Sequence, residues 1–96
     1  MKDRMLSPNA ATILALNALA YLAGSEDAMQ RFMDLTGADR DSLRSRADEP
    51  DFLVSVLDFL LTNEGLLIDF SNDNSADVRA VHMARHILSG GLSGGG

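Results

Sequence analysis

The sequence predicts an all-α protein, a compact bundle of five or six short helices with an apolar N-terminal helix at its centre. Apolar residues recur at helical spacing almost throughout the chain, and no stretch alternates between apolar and polar residues as a strand does. Helix-capping residues interrupt this pattern at short intervals. With 96 residues, of which 46% are hydrophobic, the chain can bury one core without a disulfide or a metal.

We expect a single helical domain over residues 7–88. Residues 1–6 form a short N-terminal arm before it. Residues 89–96 form a flexible tail after it, because glycine and serine dominate that segment.

The first helix has clear boundary signals. Ser7 is the expected N-cap, Pro8 occupies the first helical position, and Gly24 ends the helix. Beyond its first turn the helix is almost entirely apolar, with Asn17 as an exception. A helix of this kind is typical of a bundle centre, and Leu16 is therefore expected in the core.

The same segment raises the question of export. Lys2 and Arg4 precede the apolar run, as in a signal peptide, but Asp3 and Asn17 interrupt that pattern. The run is also too short to span a bilayer. We therefore expect a cytoplasmic protein without membrane contact.

The second and third helices are short. Ser25 caps the second helix and Gly37 ends it, while Asp39 caps a third helix that runs through Ala47 and points Leu43 inward. The apolar stripe of the second helix consists of Ala28, Phe32 and Leu35.

The second half of the chain predicts three more helices. The fourth follows Asp48 and is apolar apart from a narrow strip. Asn63 and Gly65 separate it from a short fifth helix, and Ser75 is the expected cap of the last, which runs to about Leu88. The polar strip of the fourth helix consists of Asp51, Ser55, Asp58 and Thr62.

The composition disfavours several classes of function. A formal net charge of −6 repels nucleic acids and anionic membranes. The chain has no cysteine, no Gly-x-Ser-x-Gly elbow and no phosphate-binding glycine loop. Asp58 and Asp69 lie among apolar residues, and burial there would raise a carboxyl pKa and suit a general acid or base. Such residues more often lie on the solvent-facing edge of a mostly buried helix. We expect no enzymatic activity, no catalytic residue and no cofactor.

Two histidines have the spacing of metal ligands. His82 and His86 are four residues apart on the last predicted helix, so both lie on one face. Two ligands do not complete a zinc site, and Arg79 one turn earlier disfavours a cation there. We interpret them as solvated surface residues and expect no metal.

Residues 30–46 provide an alternative function. A helix, a turn and a second helix bearing basic residues are similar to a helix-turn-helix, in which the second helix reads DNA. The expected contacts are Arg40, Arg44 and Arg46. Asp39 and Asp41, however, lie at the end of that helix that would face phosphates. Nucleic-acid binding is therefore the second hypothesis.

The preferred hypothesis is a protein-interaction or self-association module. The fourth and fifth helices carry more large apolar side chains than one helix face can bury, and the excess predicts an exposed patch that binds a protein partner or a second copy. The candidate interface residues are Phe52, Val56, Phe59, Leu60, Leu66 and Phe70.

The order of caps and core leucines is also similar to a known family. The relevant segments are Leu35-Thr36-Gly37-Ala38-Asp39, Asp41-Ser42-Leu43-Arg44, Asp51-Phe52-Leu53 and Val56-Leu57-Asp58-Phe59-Leu60-Leu61. From about Asn17 to Leu88 the chain resembles DUF3572, a numbered family of unknown function found in alphaproteobacteria. The resemblance implies a bacterial, stand-alone helical domain and supplies no catalytic residue.

Overall fold

The computed structural model describes residues 6–90, and within that range the chain forms six helices and no strand. The predicted all-α fold is confirmed. The arm and tail predictions fall mostly on residues 1–5 and 91–96, which lie outside the described residues. The helices are α1 (Pro8–Ala23), α2 (Glu26–Thr36), α3 (Arg40–Ser45), α4 (Pro50–Thr62), α5 (Glu64–Asp73) and α6 (Val78–Leu88).

Side-chain caps start the first three helices where the sequence predicts them. The Ser7 hydroxyl accepts a hydrogen bond from the backbone N–H of Ala10 at 3.0 Å, and Ser25 begins α2 in the same way. Such caps satisfy N–H groups that have no partner inside the helix. Gly37 ends α2 with a left-handed φ of 76°, a conformation that costs glycine nothing.

The start of α6 differs from the prediction. Ser75 does not cap this helix but lies in the preceding turn, with φ at 53°. The cap is Asp77, whose carboxylate accepts from the backbone N–H of Arg79 at 3.0 Å. The turn is closed by the N–H of Ala76, which donates to the carbonyl of Ser71 at 2.9 Å. An N-cap residue has an extended backbone, and the left-handed φ of Ser75 does not fit that position.

The core forms where α4 meets its neighbours. Helix α4 packs against α1, α2, α5 and α6, and α1 packs most extensively against α6 and α4. Phe32 of α2 makes edge-to-face contacts with two rings of α4, with centroids 5.8 Å from Phe52 and 5.5 Å from Phe59. Edge-to-face pairs of this kind are favourable beyond their buried area. The centre of the bundle is therefore shared between α1 and α4.

The bundle is thin, so one face of each helix remains exposed to solvent. Its shortest dimension is 18 Å, which accommodates two layers of helices about 10 Å in diameter. Each helix therefore keeps one face outside. Leu16 is 38% exposed and Leu35 is 71% exposed, so the predictions that placed these two side chains inward are wrong.

Among the described residues, no helix combines the length and apolar character that crossing a membrane requires.

Candidate functional site

The predicted interface patch is wrong in its position. Five of the six candidates are buried, with exposed fractions of 4% or less, and only Leu66 is half-buried. The candidates on α4 are buried because four helices pack against it, and Phe70 of α5 packs against Tyr21 of α1. Most of the large apolar residues of α4 thus belong to the core, whereas Ile68 of α5 is 49% exposed. The buried candidates are Phe52, Val56, Phe59, Leu60 and Phe70.

A different apolar surface is exposed, and it lies on α1. Ile13 is 52% exposed and Leu16 is 38% exposed. They lie opposite the buried side of α1, which consists of Ala11, Ala15, Ala18 and Leu22. We call the exposed surface the outer face of α1; its residues are Asn9, Ile13, Leu16, Asn17, Ala20 and Ala23.

The outer face of α1 carries no charge. None of the 16 residues of α1 is acidic or basic, whereas 23% of the whole chain is charged. An exposed helix face usually carries charged side chains. The outer face of α1 is therefore an uncharged surface on an acidic domain.

A groove adjoins the outer face of α1 on the side of α5. Its volume is about 350 Å³, and Ile13 and Asn17 form part of its wall. Ser75 at its edge has the strained left-handed φ described above, which is uncommon for a residue other than glycine. The remaining lining residues are Ala10, Leu14, Phe70, Asn74, Ala76, Asp77 and Ala80.

Tyr21 joins α1 to α5 beside this groove. Its hydroxyl donates to a carboxylate oxygen of Asp69 at 2.6 Å, and its ring lies edge-on to Phe70 with centroids 5.7 Å apart. Burial raises the pKa of Tyr21 to about 12, with further contributions from the hydrogen bond to Asp69 and from the charges of Asp69 and Asp73. All of these effects favour the protonated phenol. Tyr21 therefore fixes one wall of the groove as long as it stays protonated.

We expect the folded domain to lose stability above pH 10. The pKa of Tyr21 is higher in the folded chain, at about 12, than its ordinary value of 10.0. The stabilisation is thus complete below pH 10 and disappears as the pH rises through 12. Because the chain has one tyrosine and no tryptophan, tyrosinate absorbance reports this group alone.

Two variants separate the causes of the raised pKa. Asp69→Asn is expected to move the absorbance midpoint part of the way back towards 10, since burial remains. Asp73→Asn, the matched control, removes only the smallest contribution and should move it less. A midpoint near 10 in the folded wild type would contradict the role assigned to Tyr21.

The three arginines of the helix-turn-helix hypothesis do not form one surface of a reading helix. Helix α3 has 6 residues, which is less than two turns. Arg40 and Arg44 are exposed on it. Arg46 lies just after it, pairs with Glu49 at 3.2 Å, and places its guanidinium 5.1 Å from the ring centroid of Phe52.

An ionised carboxylate occupies the N-terminus of α3. Asp39 accepts from the backbone N–H of Ser42 at 2.8 Å, and this backbone hydrogen bond is the main cause that lowers the pKa of Asp39. A helix N-terminus is where a phosphate would bind. Asp39 fills that position with a negative charge.

The two carboxylates that suggested acid–base chemistry each have a partner. Asp58 of α4 forms an ion pair with Arg85 of α6, and the hydrogen bond to Asp58 raises the pKa of that guanidinium. Asp69 accepts from Tyr21, as above. His82 and His86 are exposed, and the described part of the chain contains no group of three or more potential metal ligands.

The fold and the site define a small, acidic, all-helical domain with one uncharged helix face. The chain belongs to the family described as Protein of unknown function (DUF3572), whose model matches residues 8–91. This match confirms the resemblance found in residues 17–88 and extends it into α1. No curated protein and no solved structure matches the chain.

The sequence contains a pattern that is typical of an apolar outer face on α1. Ile13, Leu16, Ala20 and Ala23 follow one another at steps of three and four residues within a helix that has no charged residue. Apolar residues at this spacing form a seam along one side of a helix. The buried residues of α1 also recur at steps of three and four residues; they are Ala11, Ala15, Ala18 and Leu22. Periodicity alone therefore does not tell which side of α1 is exposed.

Proposed function

We propose that this domain is a non-catalytic protein-interaction module that associates through the outer face of α1. The observation that carries the proposal is the absence of charge on the exposed face of a 16-residue helix in a chain of net charge −6. An exposed apolar surface with a charged surround is typical of an association site.

The choice of buried face on α1 supports this proposal. The fully buried side of α1 contains three alanines and one leucine, while Ile13 and Leu16 stay partly exposed, at 52% and 38%. An isolated domain would gain more from burying the larger side chains, because transfer from water stabilises by about 25 cal/mol per Å² of apolar surface. A partner that covers the outer face of α1 recovers that stabilisation.

The groove beside α1 extends the proposed surface. Phe70, whose ring contacts Tyr21, lines the groove together with Asn17 and with Asn74, which donates its amide N–H to the carbonyl of Phe70. A protein partner needs such polar groups around an apolar centre to fix its orientation. The proposal assigns no catalytic residue, since Asp58 and Asp69 are each engaged by another side chain. It places the module in the cytoplasm, because a chain without cysteine has no disulfide to gain elsewhere.

The test compares two charge-introducing variants. Ile13→Glu combined with Leu16→Glu places two carboxylates on the outer face of α1, and we expect association to be lost while the helical circular dichroism spectrum persists. Leu35→Glu is the matched control, because Leu35 is the most exposed large apolar residue and lies on α2. Association is measured by sedimentation of the purified chain and by affinity capture with the chain as bait. Equal association of the wild type, the double variant and the control would contradict the proposal.

Nucleic-acid binding by residues 30–46 remains the second candidate. The exposed side chains of Arg40 and Arg44 are the observation in its favour. The negative charge of the domain and the carboxylate of Asp39 at the start of α3 oppose it. Duplex DNA binding that weakens in an Arg44→Ala variant would replace the first proposal by this one.

A further inference from the structure

We propose that the partner on the outer face of α1 is a second copy of this chain, with the two α1 helices packed antiparallel around a two-fold axis at the level of residue 18. This inference rests on the proposed function and specifies its partner. A two-fold contact uses the same surface on both copies, so the surface must be complementary to itself. Three properties of the outer face of α1 meet that requirement.

The first property is the spacing of its apolar residues. Ile13, Leu16, Ala20 and Ala23 follow at intervals of three, four and three residues, and all four are exposed. This is the spacing of the a and d positions of a heptad, the pattern by which one helix packs along another. The seam covers residues 13–23 of α1, about 15 Å at 1.5 Å per residue.

The second property is the order of side-chain size along the seam. The two large residues come first and the two small ones last. In the antiparallel arrangement Ile13 lies opposite Ala23 of the second copy, and Leu16 lies opposite Ala20 of the second copy. Each large side chain thus meets a small one, which fills space without strain. In a parallel arrangement large residues would meet large ones and alanines would face each other across a gap.

The third property is charge. Two copies that each carry a net charge of −6 repel one another over most of their surface. The outer face of α1 brings no charged side chain of α1 into the contact. Its polar members are Asn9 and Asn17, and Asn17 lies next to the proposed axis, where the amides of the two copies can pair and fix the register.

The contact is small, so the dimer is expected to be weak. A helix of 16 residues is about 24 Å long at 1.5 Å per residue. One helix pair of that length buries less than the roughly 1,200 Å² of a standard stable interface. We therefore expect a dimer that forms at high protein concentration and dissociates on dilution.

Sedimentation equilibrium of the full chain tests whether the partner is a second copy. The wild type and the Leu35→Glu control are expected to dimerise, and Leu16→Glu is expected to raise the dissociation constant by at least about tenfold, which corresponds to about 1.4 kcal/mol. Added salt should strengthen the dimer, because it screens the repulsion between two acidic copies. A dimer that weakens in salt, or one that Leu16→Glu leaves intact, would overturn the proposal.

Disulfide formation tests the antiparallel register, and the chain has no cysteine to interfere. An equimolar mixture of Ile13→Cys and Ala23→Cys chains is expected to form the mixed disulfide dimer on mild oxidation. Neither chain alone should do so, because the two equivalent positions would be about 15 Å apart along the axis, beyond the reach of a disulfide. A dimer linked through Ile13→Cys alone indicates parallel packing and overturns the antiparallel proposal.

Failure of this inference is distinguishable from failure of the proposed function. If the chain stays monomeric at high concentration, while capture of another protein is lost only in the Ile13→Glu/Leu16→Glu variant, the dimer is wrong and the interaction module stands. If neither self-association nor capture depends on these two residues, both proposals are wrong.

Discussion

Replacing Phe32 with alanine is expected to destabilise the domain by about 3–5 kcal/mol. Phe32 is fully buried, and its ring makes edge-to-face contacts with Phe52 and Phe59. Truncation removes the apolar ring, both aromatic contacts and the packing between α2 and α4, and it leaves a cavity that the surrounding rings cannot fill. Because small domains have about 5–15 kcal/mol of total stability, a loss of this size is expected to remove a large fraction of it.

Chemical denaturation followed by far-UV circular dichroism measures this effect. Leu35→Ala is the matched control on the same helix, since Leu35 is 71% exposed. Its cost is expected to be about 0.5 kcal/mol or less, as for most surface substitutions. Equal losses for the two variants would mean that α2 does not pack through Phe32.

Enlarging Ala18 is the second substitution with a large expected effect. Ala18 is fully buried on the side of α1 that packs against α4 and α6. A leucine there has no space to enter and must push the helices apart or adopt a strained rotamer, which typically costs about 1–3 kcal/mol. We expect Ala18→Leu to unfold at a clearly lower denaturant concentration than the wild type.

Ala20→Leu provides the control for this substitution. Ala20 is exposed on the outer face of α1, so the same enlargement is expected to leave monomer stability nearly unchanged. Both variants are compared at low protein concentration, where the proposed dimer is dissociated. If Ala20→Leu destabilised the monomer as much as Ala18→Leu, the assignment of the two sides of α1 would be wrong.

The sequence was sufficient to predict the helices but not the directions in which they face. Caps such as Ser7, Ser25 and Asp39 act within a few residues, so they can be recognised locally, and the structure places them at helix starts. Orientation depends on contrast between the faces of a helix. Helices α1 and α4 are apolar on nearly all sides, and their patterns therefore do not distinguish core from surface.

Competition between these two helices explains the misplaced interface. The two helices share the centre of the bundle, and the large side chains of α4, including Phe52 and Phe59, are buried between the layers. Helix α1 instead approaches its neighbours closely through alanines such as Ala15 and Ala18. That arrangement leaves Ile13 and Leu16 partly exposed. Which side of each helix faces the core is therefore decided by tertiary packing and not by the hydrophobic period of the helix.

The extensive packing of α1 against α6 joins the two ends of the domain. These helices, Pro8–Ala23 and Val78–Leu88, are separated by most of the chain, so their contact closes a long loop at a cost in chain entropy. During synthesis α1 emerges from the ribosome long before its main neighbour exists. The nascent chain therefore holds an incomplete core until α6 has left the exit tunnel, and the domain folds as a unit only after translation of that helix.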